Sequence, residues 1–349
     1  MDTTSGTLDE ALHRLHGSGP EFKGYLSNHG PMAVEALVRH GQAHTVHRWL
    51  DAYGARLEDV PGARTPIGDA DWQEALGDPL RVTDWTRYFS RWIARRPWRE
   101  VLAQWWPRLL PGIAGAATHP VIRVGHAVRS LVTEGEDAPR LSELAHALGY
   151  WAARHTLLPV TVAPSGGAAP ADALAALPRI AEQNVTPLRG YAQLSGTPGW
   201  PEAAGSLRVP ENPEAVRENL SALVRAATLN YGAYGHGDGV MLVHAATAPN
   251  AVLRTLPVLP QELWGPSLAA AWAATAAITS LYAADAPLPP PDASSVTAEE
   301  VFELAAANGD AHVIKFADTA LDVAASAEDG DDRALAAALN AVRLMGSGD

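Results

Sequence analysis

Apolar residues along this chain recur every three or four positions and almost nowhere alternate. That period matches the turn of an α-helix, not the two-residue repeat of a strand. Trp85, Phe89 and Trp92 share one helical face. Val101, Trp105 and Leu109 share another, behind Pro97 as that helix's first residue. Leu141, Leu144, Leu148 and Trp151 make a third stripe. Val301, Leu304 and Ala305 belong to a helix stopped at Asn308-Gly309, and Asp310 then caps the next, from Ala311 to about Ala325. Val160 to Ala163 is the best strand candidate, and it is short. The expectation is an all-α, multi-helix globular fold with its site buried between helices.

Three segments read as loops: Pro164 to Pro170, Ser195 to Pro213, and Ala284 to Ser295 with its Pro-Pro-Pro. Each lies between helical patterns and holds apolar or Pro residues, so none is a flexible tether. No fixed-period repeat appears, which argues against a solenoid. One domain over 1–349 is preferred, and a two-lobed split near 195–213 is the fallback.

Acidic residues outnumber basic ones 39 to 26, for a formal charge of −13. Such a surface repels phosphate backbones, and no basic stripe with aromatics overrides it, so no nucleic-acid partner is expected. Arg carries nearly all the positive charge, which makes any Lys in an apolar stretch conspicuous. The absence of Cys excludes disulfides, thiolate nucleophiles and Cys-ligated zinc or iron–sulfur clusters. The first residues show no basic stretch followed by an apolar run, so no signal peptide is expected. Leu268 to Ala284 reads as a buried helix, not a membrane span. A cytoplasmic protein follows, with no membrane partner.

Thirteen histidines is a high count. His13 and His16 lie in a polar N-terminal helix; His40, His44 and His47 lie in the polar part of a helical hairpin; His146 and His155 sit on or near a helix already apolar on its other face. All of these read as solvated or capping. Four others stand out. His29 sits in Ser27-Asn28-His29-Gly30-Pro31-Met32, a loop opening onto a helix; His119 precedes Pro120 at another helix start. His244 is embedded in Val240-Met241-Leu242-Val243-His244-Ala245-Ala246, and His312 lies in Asp310-Ala311-His312-Val313-Ile314-Lys315-Phe316. A His without polar sequence neighbours finds its partner elsewhere in the fold or ligates a metal. Singly, each reads as a satisfied core residue. Four in one chain raise the odds of a shared metal over ordinary core histidines, and imidazole suits iron, copper, nickel and zinc alike, so spacing alone names no metal.

His312 and Lys315, three apart, share a helix face. A buried Lys has a lowered pKa, stays neutral, and can take up carbon dioxide as a carbamate, an anionic oxygen ligand. The plainer reading pairs Lys315 with Asp318, also three residues away. His126 lies seven residues after His119, roughly 10 Å along the helix, which puts it beside the metal or in the substrate pocket. Gly235-His236-Gly237-Asp238-Gly239 contains the His-x-Asp of a facial triad in a helical neighbourhood, and its glycines read as a mobile loop with His236 near a pocket mouth. There is no Gly-x-Ser-x-Gly elbow, His-Glu-x-x-His helix or Walker A loop. Without Gly-x-Gly-x-x-Gly a Rossmann unit is unsupported, and nothing in the sequence decides whether an external reductant such as NADPH takes part.

At these motifs the chain resembles the questin oxidase-like family of fungal and bacterial secondary metabolism. The matching pieces are Asn28-His29 with the hairpin through Leu50 and Tyr53, Thr118-His119-Pro120 through Gly125-His126-Ala127, Val243-His244-Ala245 with Val252-Leu253-Arg254, and His312-Val313-Ile314-Lys315. They stand in the family's order across nearly the whole chain. The resemblance implies an α-helical enzyme oxidising polycyclic aromatic polyketides with dioxygen, by ring cleavage or Baeyer–Villiger-type oxygen insertion. It also implies non-haem Fe(II) held by His29, His119, His244, His312 and a carboxylated Lys315. Where the fungal members are richer in His, this chain has Gly30-Pro31-Met32, and it has His126 where they often have Tyr. On this reading His126 and His236 are the candidate catalytic groups, moving a phenolic proton. The rivals are a zinc-dependent hydrolase using the same Lys, and a non-catalytic helical binding protein with ordinary core histidines.

Overall fold

The computed structural model describes residues 3–159, 162–183, 185–327 and 331–346. Among them nearly all regular structure is helical, as the periodicity predicts; the exceptions are two two-residue strands, Glu21–Phe22 and Leu26–Ser27, paired antiparallel. Of the expected strand at 160–163, Val160 and Thr161 lie outside the described residues, and Val162 and Ala163 are irregular. The chain resolves into two compact units: Met1–Leu157 with Arg254–Pro260, and Leu158–Leu253 with Gln261–Asp349. The loop at 195–213 lies wholly inside the second unit and itself contains a short helix, Trp200–Gly205. No described helix is long and apolar enough to cross a membrane.

In the first unit the helices Val82–Ile93 and Ala138–Ala153 pack most extensively. They approach so closely that a Cβ on Gly149 would lie 2.8 Å from the Thr86 nitrogen. Of the predicted stripe Trp85 and Phe89 are fully buried and Trp92 is half-buried; Trp105, from the next stripe, meets Trp85 and Phe89 edge-on at 5.0–5.5 Å. Pro97 stands one residue before the helix Trp98–Leu109, as its N-cap. The helix His119–Thr133 packs against both Ala138–Ala153 and Gly30–Arg39.

In the second unit the helix Ala311–Ser326 packs against Ala298–Asn308, Pro213–Tyr234 and Asp332–Leu344. Its local signals hold. Gly309 takes φ 81° at the preceding C-cap, and the Asp310 carboxylate accepts the His312 amide at 2.7 Å. Val313, Ile314 and Phe316 are fully buried, each worth about 1.5–3 kcal/mol of removed apolar surface. Lys315 and Asp318 are buried as well, so this helix is covered on nearly every side, and any polar group on it needs a reason.

Candidate functional site

The first unit supplies His29 and His119. His29 is the N-cap residue of Gly30–Arg39, and its amide donates to the Tyr53 hydroxyl at 2.7 Å, which ties the loop to the hairpin beside it. His119 opens the helix His119–Thr133 with Pro120 behind it. The residues leading into it, Ala116, Ala117 and Thr118, have φ of 43°, 53° and 67°. That is the left-handed region, disfavoured by about 1–2 kcal/mol per residue for anything with a Cβ. The His119 Nδ1–H donates to the Ala116 carbonyl at 2.6 Å, which leaves the lone pair on Nε2. The two rings stack at 4.5 Å.

The same unit holds a buried polar network. The Glu35 carboxylate accepts from the Arg129 guanidinium at both oxygens, Nε to Oε1 at 2.7 Å, and from His126 Nδ1–H at 2.7 Å. Burial would raise the Glu35 pKa, but Arg129 and the His126 hydrogen bond outweigh it and hold the carboxyl down at about 2. On its other side, His126 Nε2 accepts from the Arg254 guanidinium at 3.5 Å. An anion at Nδ1 and a cation at Nε2 fix one neutral tautomer. Burial lowers the His126 pKa, Glu35 opposes, and Arg129 and Arg254 lower it further.

A second arm repeats the pattern. Arg123 grips Glu143 with bonds of 2.5 and 2.8 Å, and His16 donates to Glu143 at 2.9 Å. His16 stacks on His146 at 4.4 Å. Burial, helped by His16 and Arg123, pushes His146 down to about 3. His16 and His146, expected to be solvated, are structural members of the unit. The sequence signal for both arms was available: Arg123, His126 and Arg129 stand in an otherwise apolar helix, and their long-range partners Glu35 and Glu143 sit inside two others. A cleft of about 440 Å³ opens elsewhere in this unit, lined by Pro20, Glu21, Arg64, Tyr150 and Arg154 among others, and by none of the candidate ligands.

The second unit supplies His244, His312 and Lys315. His244 is fully buried and its Nδ1–H donates to the Met241 carbonyl at 3.0 Å. His312 Nδ1 is held at 3.1 Å by Asp310, the same carboxylate that caps the helix. Both rings therefore present Nε2 as the lone-pair nitrogen, the arrangement that orients metal-ligating imidazoles. They meet edge-on at 5.6 Å. Lys315 has no exposed surface, and its Nζ makes no hydrogen bond. The expected pair with Asp318 does not form. Burial brings the Lys315 amine down to about 7, against a modest pull from Asp310. Burial also lowers both imidazoles, His244 well below its ordinary value, with the Lys315 charge adding to the effect.

His236 lies in an exposed turn of this unit. Its glycines serve close packing: a Cβ on Gly237 would stand 2.5 Å from the backbone at both Tyr282 and Ala284. The structure thus brings His29 to His119, and His244 to His312 and Lys315, each group within its own unit.

A family model described as Questin oxidase-like matches residues 27–137 of the chain. The matched stretch holds His29, Glu35, His119, His126 and Arg129. The resemblance seen in the sequence is supported over that stretch, and the motifs at 244 and 312–315 lie outside it. No curated protein and no solved structure matches the chain.

Proposed function

We propose that this chain is an oxygenase acting on polycyclic aromatic polyketides with dioxygen, using a non-haem iron. His29, His119, His244 and His312 supply Nε2 ligands, and Lys315 supplies a carbamate oxygen. One observation carries this reading: Lys315, one of only two lysines in the chain, is fully buried with an unpartnered amine beside imidazoles whose ring protons are already placed on Nδ1. A buried polar group without a partner is costly and rare. An amine at about 7 is about half neutral in neutral solution, and the neutral form can attack the carbon of carbon dioxide, form an N–C bond and release a proton. The donor set of neutral imidazoles and one anionic oxygen fits a divalent transition ion.

Bound there, iron(II) would supply the site at which dioxygen is activated. The surrounding residues do the rest. Buried side chains around Lys315 on Ala311–Ser326 exclude water. Asp310, the Ala116 carbonyl and the Met241 carbonyl hold three ring tautomers fixed. Proton movement falls to His126, kept neutral between Glu35 and Arg254, and to the exposed His236.

Elemental analysis after anaerobic reconstitution tests the metal. About one equivalent of iron is expected, and less than about a tenth of an equivalent of any transition metal rejects the reading. Carbon-13 spectra under labelled carbon dioxide should show a carbamate that Lys315→Met abolishes. Iron-dependent dioxygen consumption with an anthraquinone distinguishes the oxygenase from a zinc hydrolase.

A further inference from the structure

The entry into His119 asks for its own explanation, because three successive residues with a Cβ occupy a region that glycine alone visits freely. The turn is clamped from outside. A Cβ on Gly112 would sit 2.3 Å from the His155 ring, and one on Gly115 would sit 2.0 Å from the Arg154 carbonyl oxygen. Between them Ile113 pairs with Thr156 in a parallel bridge. Gly112 therefore makes room for the His155 ring and Gly115 lets the chain lie directly against the 154–156 backbone, and the residues after them take the left-handed course that this leaves.

That course has a product. In a right-handed turn the Ala116 carbonyl would look for the amide of residue 120, and Pro120 has none. Here the carbonyl accepts the His119 backbone amide and also, at 2.6 Å, the His119 imidazole Nδ1–H, which fixes which ring nitrogen carries the proton.

We propose that Ala116, Ala117 and Thr118 are positioning residues, a strained turn that holds the His119 ring in one tautomer with Nε2 presented for ligation. The inference rests on the reading of His119 as a metal ligand. The chain carries its own control. Lys23 also has a positive φ, 49°, but lies exposed in the turn between the two short strands.

The test compares an Ala116→Gly, Ala117→Gly double variant with Lys23→Gly, both in the full chain. Nitrogen-15 spectra of the metal-free protein report the ring tautomer, thermal melts report strain, and titration with iron(II) reports affinity. The double variant should melt a few degrees higher, as glycine relieves the strain. Its His119 ring should lose the single Nδ1–H tautomer, and iron affinity should fall about 10- to 100-fold. Lys23→Gly should raise the melt alone. An unchanged His119 tautomer, or a lower melting midpoint, overturns the proposal. If the wild type binds no iron, the ligand reading fails by itself and the ring spectra alone decide the role of the turn.

Discussion

The Arg–carboxylate network of the first unit and the His–Lys cluster of the second bury similar chemistry in opposite ways. In the network each buried carboxylate meets a guanidinium: Glu35 with Arg129, Glu143 with Arg123. In the cluster the amine of Lys315 meets no acceptor at all. Pairing explains burial without invoking a ligand, because the Coulombic and hydrogen-bonding terms offset desolvation. An unpartnered amine offsets nothing. The paired carboxylates and guanidinia are thus architecture, and the cluster is what a ligand would complete.

The sharpest way to break this comparison is to unpair the network. Arg129→Ala leaves the Glu35 carboxylate buried without its guanidinium and with only the His126 hydrogen bond, and urea denaturation should show a loss of about 3–5 kcal/mol. A loss under about 1 kcal/mol would mean the network is no more than decoration. Its pH dependence follows from the carboxylates. With both held at about 2 against 4.5, their contribution is present above pH 4.5 and fades as pH falls through 2. Acid titration of Glu35→Gln should be correspondingly flatter.

The cluster should respond with the opposite sign. Lys315 has a folded pKa of about 7 against 10.5 when exposed, so the unfolded chain binds the extra proton between those values. The penalty is complete below pH 7 and shrinks as pH rises toward 10.5. Metal-free Lys315→Met should therefore gain about 2–3 kcal/mol at pH 6, with a smaller gain at pH 10 in the same urea assay. A loss of stability would show that the amine has a partner after all. In the reconstituted protein the same variant should bind iron far more weakly.

Smaller effects sharpen the division of roles. His312→Ala and His244→Ala should each lower iron affinity at least about 10-fold by calorimetry, while His16→Ala leaves it unchanged. At the low end, exposed His236→Ala should shift stability by under about 0.5 kcal/mol and spare the metal. A fall in turnover with metal content intact would then mark it as a proton-handling group, and unchanged turnover would remove it from the mechanism.

Much of this was legible in the sequence. The helical class follows from the period of apolar residues, and the ends of single helices follow from local chemistry, as at Gly309 and Asp310. The buried setting of His244 was readable because its neighbours are apolar on both sides. His16 and His146 were misjudged because a polar helix face looks solvated until another helix covers it. The Lys315–Asp318 pair was misjudged because spacing places two groups on one face without saying which way either side chain extends.

The sequence by itself determined that this chain is helical, where several of its helices start and stop, and which histidines stand in apolar surroundings, since these depend on residues within a turn or two of one another. Only the tertiary structure decided which charges are paired. Glu35 finds Arg129 across 94 residues and His16 finds Glu143 across 127, distances at which no periodicity carries information. It also decided that Ala116, Ala117 and Thr118 run left-handed, against their own preference, because the backbone at 154–156 is packed against the turn before them.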